Sequence, residues 1–301
     1  MEICLAMVIL EGFVDLSSII FIIVSLSLDS FQKKSLSPLS RILISLNVSN
    51  GFLTIFTALY LFTSLLSPSM YNVQSLSYFF SFMALSSITS SSWLTAALCF
   101  FYFIKIGPSP PGFLMNVKNR IDAFTWRLIL LVEVVAVGGS FLLLLLLLKN
   151  PDEKNSTMKT DQPVEEIRSQ NLKVSSIIMM LNGLTFIIII GTTVASACFL
   201  RLYDCRMKKT NGTLVNTNVK DYRSAVQAMT GLLFFYLFAI LIVVISTLDI
   251  FAVGSGGFWM CSLLLLSFPA DQSAFIIYSH PKLKHNLREI FISLTCRNGG
   301  G

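Results

Sequence analysis

Residues Phe79 to Ile106 read FFSFMALSSITSSSWLTAALCFFYFIKI, and the fold follows from them. The run is long enough to cross a bilayer, for which ~20 apolar residues at ~1.5 Å each suffice. Its first half is nonetheless small and hydroxylic, with Ser81, Ser86, Ser87, Thr89, Ser90, Ser91, Ser92 and Thr95 covering every side of a helix. A helix facing lipid carries large apolar residues outward, whereas small residues let neighbouring backbones close in. The stretch therefore predicts a helix at the centre of a membrane bundle. Trp93 is the one large side chain inside the small tract, and Phe100, Phe101, Tyr102, Phe103, Ile104 and Lys105 close the far end.

The whole chain agrees with that reading. Of its 301 residues 54% are hydrophobic and 13% charged, against ~25% charged in ordinary soluble domains, and its mean hydropathy is +0.74. A soluble protein of this composition has nowhere to place its apolar surface. The apolar runs are too long for barrel strands of ~10 alternating residues, so the spans are helices. The opening MEICLAMVILEGFVDLSS carries Glu2 and no basic segment, and reads as a first span rather than a cleaved leader. The six cysteines (Cys4, Cys99, Cys198, Cys205, Cys261, Cys296) sit in or beside spans without metal-ligand spacing. They support neither a metal site nor a disulfide framework.

Working outward from the central helix gives seven spans, at about 5–28, 42–66, 76–104, 126–148, 177–200, 225–248 and 258–278. Ser67, Pro68 and Ser69 break the second, and GPSPPG (107–112) ends the third, because proline cannot continue a helix. The expected loops are short except Lys149 to Ser176, which is long and polar; Asp29 to Arg41 and the basic Arg201 to Arg223 are loops as well. A cytoplasmic tail, 279–301, follows the last span. Within it HPKLKHNLREIFISL (280–294) alternates basic and apolar residues at helical spacing and predicts an amphipathic helix on the lipid surface. The fold class is thus an all-α, seven-helix membrane bundle with a short amphipathic helix after the seventh span.

Seven is odd, so the termini lie on opposite sides, and basic residues assign them. Lys33, Lys34, Arg41, Lys105, Lys118, Arg120, Arg127, Lys208, Lys209, Arg223, Lys282 and Lys284 all fall on one side. The other side holds Lys149, Lys154, Lys159, Arg168 and Lys173, balanced by acids in the long loop. The amino terminus is predicted outside and the carboxyl terminus in the cytoplasm. The net charge of +6 is therefore topology, not a nucleic-acid signal. Asn155-Ser156-Thr157 then falls outside, where a glycan can be added. Asn211-Gly212-Thr213 falls inside and Asn47-Val48-Ser49 within a span, and both should stay unmodified.

Local motifs narrow the class. WLTAALCFFYFIKIGPSPPGFLMNVKNRI (93–121) resembles the taste receptor type 2, or bitter receptor, family of G-protein-coupled receptors, whose Trp-led third span ends in FYFxKI before a basic FLxxKxRI segment. SFPADQSAFIIYSHPKLKHNLREIF (267–291) is similar to that family's proline-bearing seventh helix followed by PKLK. KDYRSAVQAMTGLLFF (220–235) is similar to its sixth-span start, with Tyr222 in place of a His. The rhodopsin-like DRY and NPxxY motifs are absent. The family's usual second-span Arg aligns with Asn50, its first-span Asn has no match, and its His near the fifth-span end aligns with Cys205.

The resemblance implies a small organic, bitter-tasting agonist bound in the outer bundle near Trp93. An indole offers flat apolar area and one N–H donor, although the same residue could simply anchor packed helices. Thr89, Ser90, Ala96 and Ala97 lie within a turn of it, and Ser262 matches a pocket position of the family. With Ser at 262 the site lacks a counter-ion for an amine, which Glu11 and Asp15 could replace unless they are only hydrated interfacial acids. Asp271 and Gln272 follow Pro269 and read either as a polar patch satisfying backbone freed by the proline or as a switch site. Tyr102, Lys105, Lys118, Arg120, Lys208, Lys209, Arg223, Lys282 and Lys284 line the cytoplasmic face. They are expected to contact a heterotrimeric G protein of the gustducin or inhibitory class, and membrane lipid headgroups. No cofactor is implied, and no catalytic constellation appears: the two histidines, His280 and His285, sit in the tail. The rival reading is a seven-helix small-solute transporter using Glu11, Asp15, Asp271 and Gln272, against which no inverted repeat is visible.

Overall fold

The computed structural model describes residues 2–33, 36–66, 74–106, 120–148, 176, 180, 182–199, 201, 216–247, 255–280, 283–289 and 292. Among them seven helices are long and apolar enough to cross a membrane, and no strand occurs. They are α1 (Glu2–Lys33), α2 (Pro38–Leu66), α3 (Gln74–Ile106), α4 (Ile121–Leu148), α5 (Asn182–Phe199), α6 (Asn216–Thr247) and α7 (Gly256–Ser279). A short helix, α8 (283–289), follows the seventh. In hydrocarbon every backbone polar group must be satisfied within its own segment, which is why apolar runs of this length are helical.

The helix ends carry local causes. Ser37 accepts from the backbone N–H of Ser40 at 3.1 Å, and Pro38 takes the first helical position, where its missing N–H costs nothing. Ser255 accepts from the N–H of Phe258 at 3.3 Å to start α7. His280, extended, closes α7 by donating its N–H to the Ile276 carbonyl at 3.0 Å. Helices outrun the spans read from hydropathy. Residues 29–33 and 38–41, expected in a loop, are helical, as are Asn216 to Arg223. Hydropathy marks only the lipid-crossing part of a helix, and nothing in these polar extensions breaks the backbone ladder. The long polar loop at 149–175 lies outside the described residues.

The third helix is the centre of the bundle. Of its membrane window 67% is buried, against 28% for each of the first, fourth and fifth spans. It packs on α2, α4 and α6, while α2 also meets α1, α4 and α7, and α7 lies between α1 and α6. Rings of Phe103 and Phe199, 5.9 Å apart, bring α5 to its far end. The main core runs through Ile22, Leu46, Leu94, Leu98, Met229 and Ile276, with a smaller cluster of Val8, Leu61 and Leu266 toward the other end. Of two glycines at helix contacts, Gly51 leaves room for a Cβ and Gly231 does not. Ile19 packs 3.8 Å from where a Cβ on Gly51 would stand, and any side chain on Gly231 would overlap the ring of Phe275.

Candidate functional site

Successive residues of a helix turn by ~100°, so the hydroxyls of α3 reach different neighbours. Ser90 donates to Glu133 Oε1 of α4 at 2.8 Å and shares a 2.9 Å hydrogen bond with Ser49 of α2. One residue on, Ser91 donates to Asn50 Oδ1 at 2.6 Å. Asn50 Nδ2 in turn donates to Gln272 Oε1 of α7 at 3.0 Å, and Gln272 Nε2 donates to Thr95 Oγ1 at 2.9 Å. Ser273 adds a 3.2 Å bond to Asn47 Oδ1. Thr54, one turn beyond Asn50, hydrogen-bonds Asp15 of α1. Asn47, Asn50 and Asp15 are fully buried. The small-residue tract is thus a polar spine joining α1, α2, α3, α4 and α7. Each such bond is worth only ~0.6 kcal/mol on average in a membrane protein, but a member left unpaired in the interior costs ~1–3 kcal/mol.

Gln272 therefore spends its amide on three other side chains rather than on backbone freed by Pro269, and Asp271 points outward, exposed. The proline explanation fails for Gln272, because its side chain turns into the α2–α3 seam while its neighbour, a ~100° rotation away, does not.

On the other side of α3 lies a cavity of about 360 Å³, bounded by Ile88 and Ser92, by Asn182 and Phe186 of α5, by Tyr236 and Ile240 of α6, and by Phe268 of α7. That volume suits a small organic molecule. Its walls are almost wholly apolar, and among the described residues no charged side chain lines it. The polar groups gather in one place. Tyr236 hydrogen-bonds Thr185 and donates to the Asn182 carbonyl at 3.2 Å, with Ser92 also within reach.

The residues singled out from sequence are distributed as follows. Trp93 is half-buried against the main core, and its Nε1 has no hydrogen-bond partner among the described residues. Thr89 is fully buried, with its hydroxyl equally unpartnered. Ser90 is held by Glu133 and Ser49, while Ala96 and Ala97 are packed in the interior. Ser262 donates to the Phe258 carbonyl of its own helix at 2.9 Å. Asp15 and Glu11 stand on α1, where Asp15 takes the Thr54 hydroxyl. The cavity is lined by none of the eight; it adjoins Trp93 only through Ser92, next in the chain. Tyr236, Asn182 and Phe186 escaped the sequence reading. The one available signal was a lone hydroxyl-bearing ring in the apolar run LLFFYLFAILIVV (232–244).

At the opposite end of α3, Tyr102 is half-buried and packs on the core beside Phe101. Arg120 is exposed, and Lys284 Nζ lies 4.8 Å from the centre of the Tyr278 ring. Lys118, Lys208, Lys209, Lys282 and Asn155 lie outside the described residues, as do the side chains of Lys105 and Arg223.

Seven membrane-capable helices around a polar central helix, with a ligand-sized apolar cavity beside it, define a multi-pass helical membrane protein. Residues 1–295 match the family described as taste receptor protein (TAS2R), and the chain belongs to that family of G-protein-coupled receptors. Taste receptor type 2 member 39 of Homo sapiens is 23% identical over 269 residues, covering 87% of this chain and 78% of that protein. The Mus musculus protein of the same name is 25% identical over 269 residues, covering 86% and 82%. The Macaca mulatta protein is 22% identical over 262 residues, covering 86% and 77%. Membership makes the chain a receptor of the bitter-taste class, and the transporter reading is not favoured.

Proposed function

We propose that the chain binds a small organic bitter agonist within the bundle and, so loaded, activates a heterotrimeric G protein of the gustducin or inhibitory class. The observation that carries this reading is the apolar cavity of about 360 Å³ between α3, α5, α6 and α7. With no charge on its walls and a polar end at Ser92, Asn182 and Tyr236, it favours a neutral, largely apolar compound with one hydrogen-bonding group. An ammonium would enter unpaired, at high cost. Trp93 and Thr89 are proposed as the next contacts, because each carries a buried group without a partner on the adjoining face of α3.

An agonist acts only by binding one helix arrangement better than another. The wall residue Tyr236 stands on α6 ~7.5 Å along the axis from Gly231, where α6 presses on the Phe275 ring of α7. Displacement of α6 at the cavity is therefore felt at the α6–α7 contact. By the positive-inside rule, the far end of the bundle is cytoplasmic, the amino terminus is extracellular, and Asn155 is open to glycosylation. Tyr102, Lys105, Lys118, Arg120, Lys208, Lys209, Arg223, Lys282 and Lys284 are then the proposed contacts to the G protein and to lipid headgroups.

The test is calcium release or G-protein activation in cells expressing the chain and challenged with a broad panel of bitter compounds. Trp93→Ala and Leu237→Trp, the latter filling the cavity, are compared at matched surface level. Loss of response in Leu237→Trp supports the cavity, and loss in Trp93→Ala extends the site to that residue. Silence of the unaltered receptor across several G proteins, or full response in both variants, defeats the proposal.

A further inference from the structure

Away from the cavity, α1 carries two carboxylates, Asp15 enclosed and Glu11 half-buried. Asp15 is wholly enclosed, at 0% exposure. Its Oδ2 takes the Thr54 hydroxyl, but Oδ1 has no hydrogen-bond partner among the described residues, although solvent does not reach it. Glu11, one turn earlier on the same face of α1, presents Oε2 in the same state. An ionised carboxylate sealed from water without a partner is among the most costly groups a protein can bury. A proton or a cation must neutralise Asp15.

No described basic side chain does so. Arg41 stands on α2 thirteen residues before Thr54, ~20 Å along the axis, and His280 lies beyond the far end of α7. One neutral oxygen, the Thr54 hydroxyl, touches Asp15. On α7, Pro269 has no N–H to give, so the Leu265 carbonyl loses its helical donor. That stretch of α7 packs about one turn from Glu11, with Leu266 in one cluster with Val8 of α1 and Leu61 of α2.

We infer that Asp15 and Glu11 hold a monovalent inorganic cation of about sodium's size between α1, α2 and α7. Carboxylate, hydroxyl and carbonyl oxygens are the ligands hard cations take. The site is too closed for an organic ammonium, since neither unpartnered oxygen is reached by solvent and neither residue lines the 360 Å³ cavity. It is also too poor for a divalent ion, since among the described residues no group of three His, Cys, Asp or Glu side chains is placed to hold a metal. Bound there, the ion ties α1 to the polar spine through Thr54 and Asn50.

The experiment uses the purified full-length receptor in lipid nanodiscs at fixed pH and ionic strength. Thermal unfolding is followed as N-methylglucamine chloride is replaced by NaCl, KCl or LiCl, with CaCl2 in a separate series. The unfolding midpoint should rise with sodium and saturate, by about 4 °C at full occupancy, and rise less with the larger potassium. The sodium effect should vanish in Glu11→Gln and in Asp15→Asn. Glu11→Gln is the safer variant, because the Oε2 it alters bonds nothing in the fold. Equal midpoints in N-methylglucamine and sodium, or an undiminished sodium effect in Glu11→Gln, would overturn the assignment. So would stabilisation by calcium with none by sodium.

Discussion

Replacing Gln272 by Leu tests the polar spine most directly. The side chain is 2% exposed and engages two other helices. It accepts from Asn50 at 3.0 Å, accepts weakly from Ser91 at 3.5 Å, and donates to Thr95 at 2.9 Å. At ~0.6 kcal/mol for an interhelical bond, the lost contacts amount to about 1–2 kcal/mol. The larger effect is on what stays behind: Asn50 Nδ2 is left sealed in the seam with no acceptor, at ~1–3 kcal/mol. Together they give about 3 kcal/mol, or a midpoint lowered by ~6 °C at the ~2 °C per kcal/mol expected of a chain this long. The assay is thermal unfolding of purified receptor without agonist, with Ser267→Ala as a control that loses only a bond to its own helix, to the Leu264 carbonyl. Pairing Gln272→Leu with Asn50→Leu removes both sides of the central bond. The double variant should lose ~1 kcal/mol less than the sum of the two singles. If Gln272→Leu unfolds with the control, or if the two variants add independently, α2 and α7 are not coupled through this amide and the reasoning fails.

Gly231→Val should push α6 off α7, since its Cβ would overlap the Phe275 ring; a loss of ~1–3 kcal/mol is expected, seen as reduced surface expression and recovered in part by Phe275→Ala. Tyr236→Phe keeps the ring but drops the hydroxyl held by Thr185 and the Asn182 carbonyl. Agonist potency should fall ~5-fold for ~1 kcal/mol at unchanged surface level, and an unchanged dose–response curve counts against the cavity as the agonist site. Asn155→Gln should remove a glycosidase-sensitive mobility shift that Asn211→Gln and Asn47→Gln leave in place; a shift lost with Asn211→Gln would invert the proposed topology.

Much of this architecture could be read before any coordinates. Small hydroxylic residues on every side of one span can mean only that helices close on all its sides, and α3 is the most buried of the seven. The motifs FYFIKI and PKLK led to the family that the whole-chain match then showed. The partners of each hydroxyl were not legible. Ser90 and Ser91 are adjacent and chemically identical, yet one joins α2 to α4 and the other α2 to α7. Only the tilt and rotation of α3 within the bundle distinguish them. The cavity was invisible for a different reason: it is where atoms are missing, which depends on how far α5 stands from α6 and not on any one residue.

Asn50 shows what the sequence alone misjudges. Aligned with the family's usual Arg, it reads as a lost charge and a weakened tie between helices. In the fold its amide uses both ends, accepting from Ser91 and donating to Gln272, so α2, α3 and α7 are joined by neutral groups that match one another. An Arg at this point would add a buried charge that the neutral amide of Gln272 does not balance. Asn50→Arg should therefore destabilise this receptor rather than restore a missing strength. If it instead raised the unfolding midpoint, the neutral spine would be a defect that the bundle tolerates and not the device that holds it.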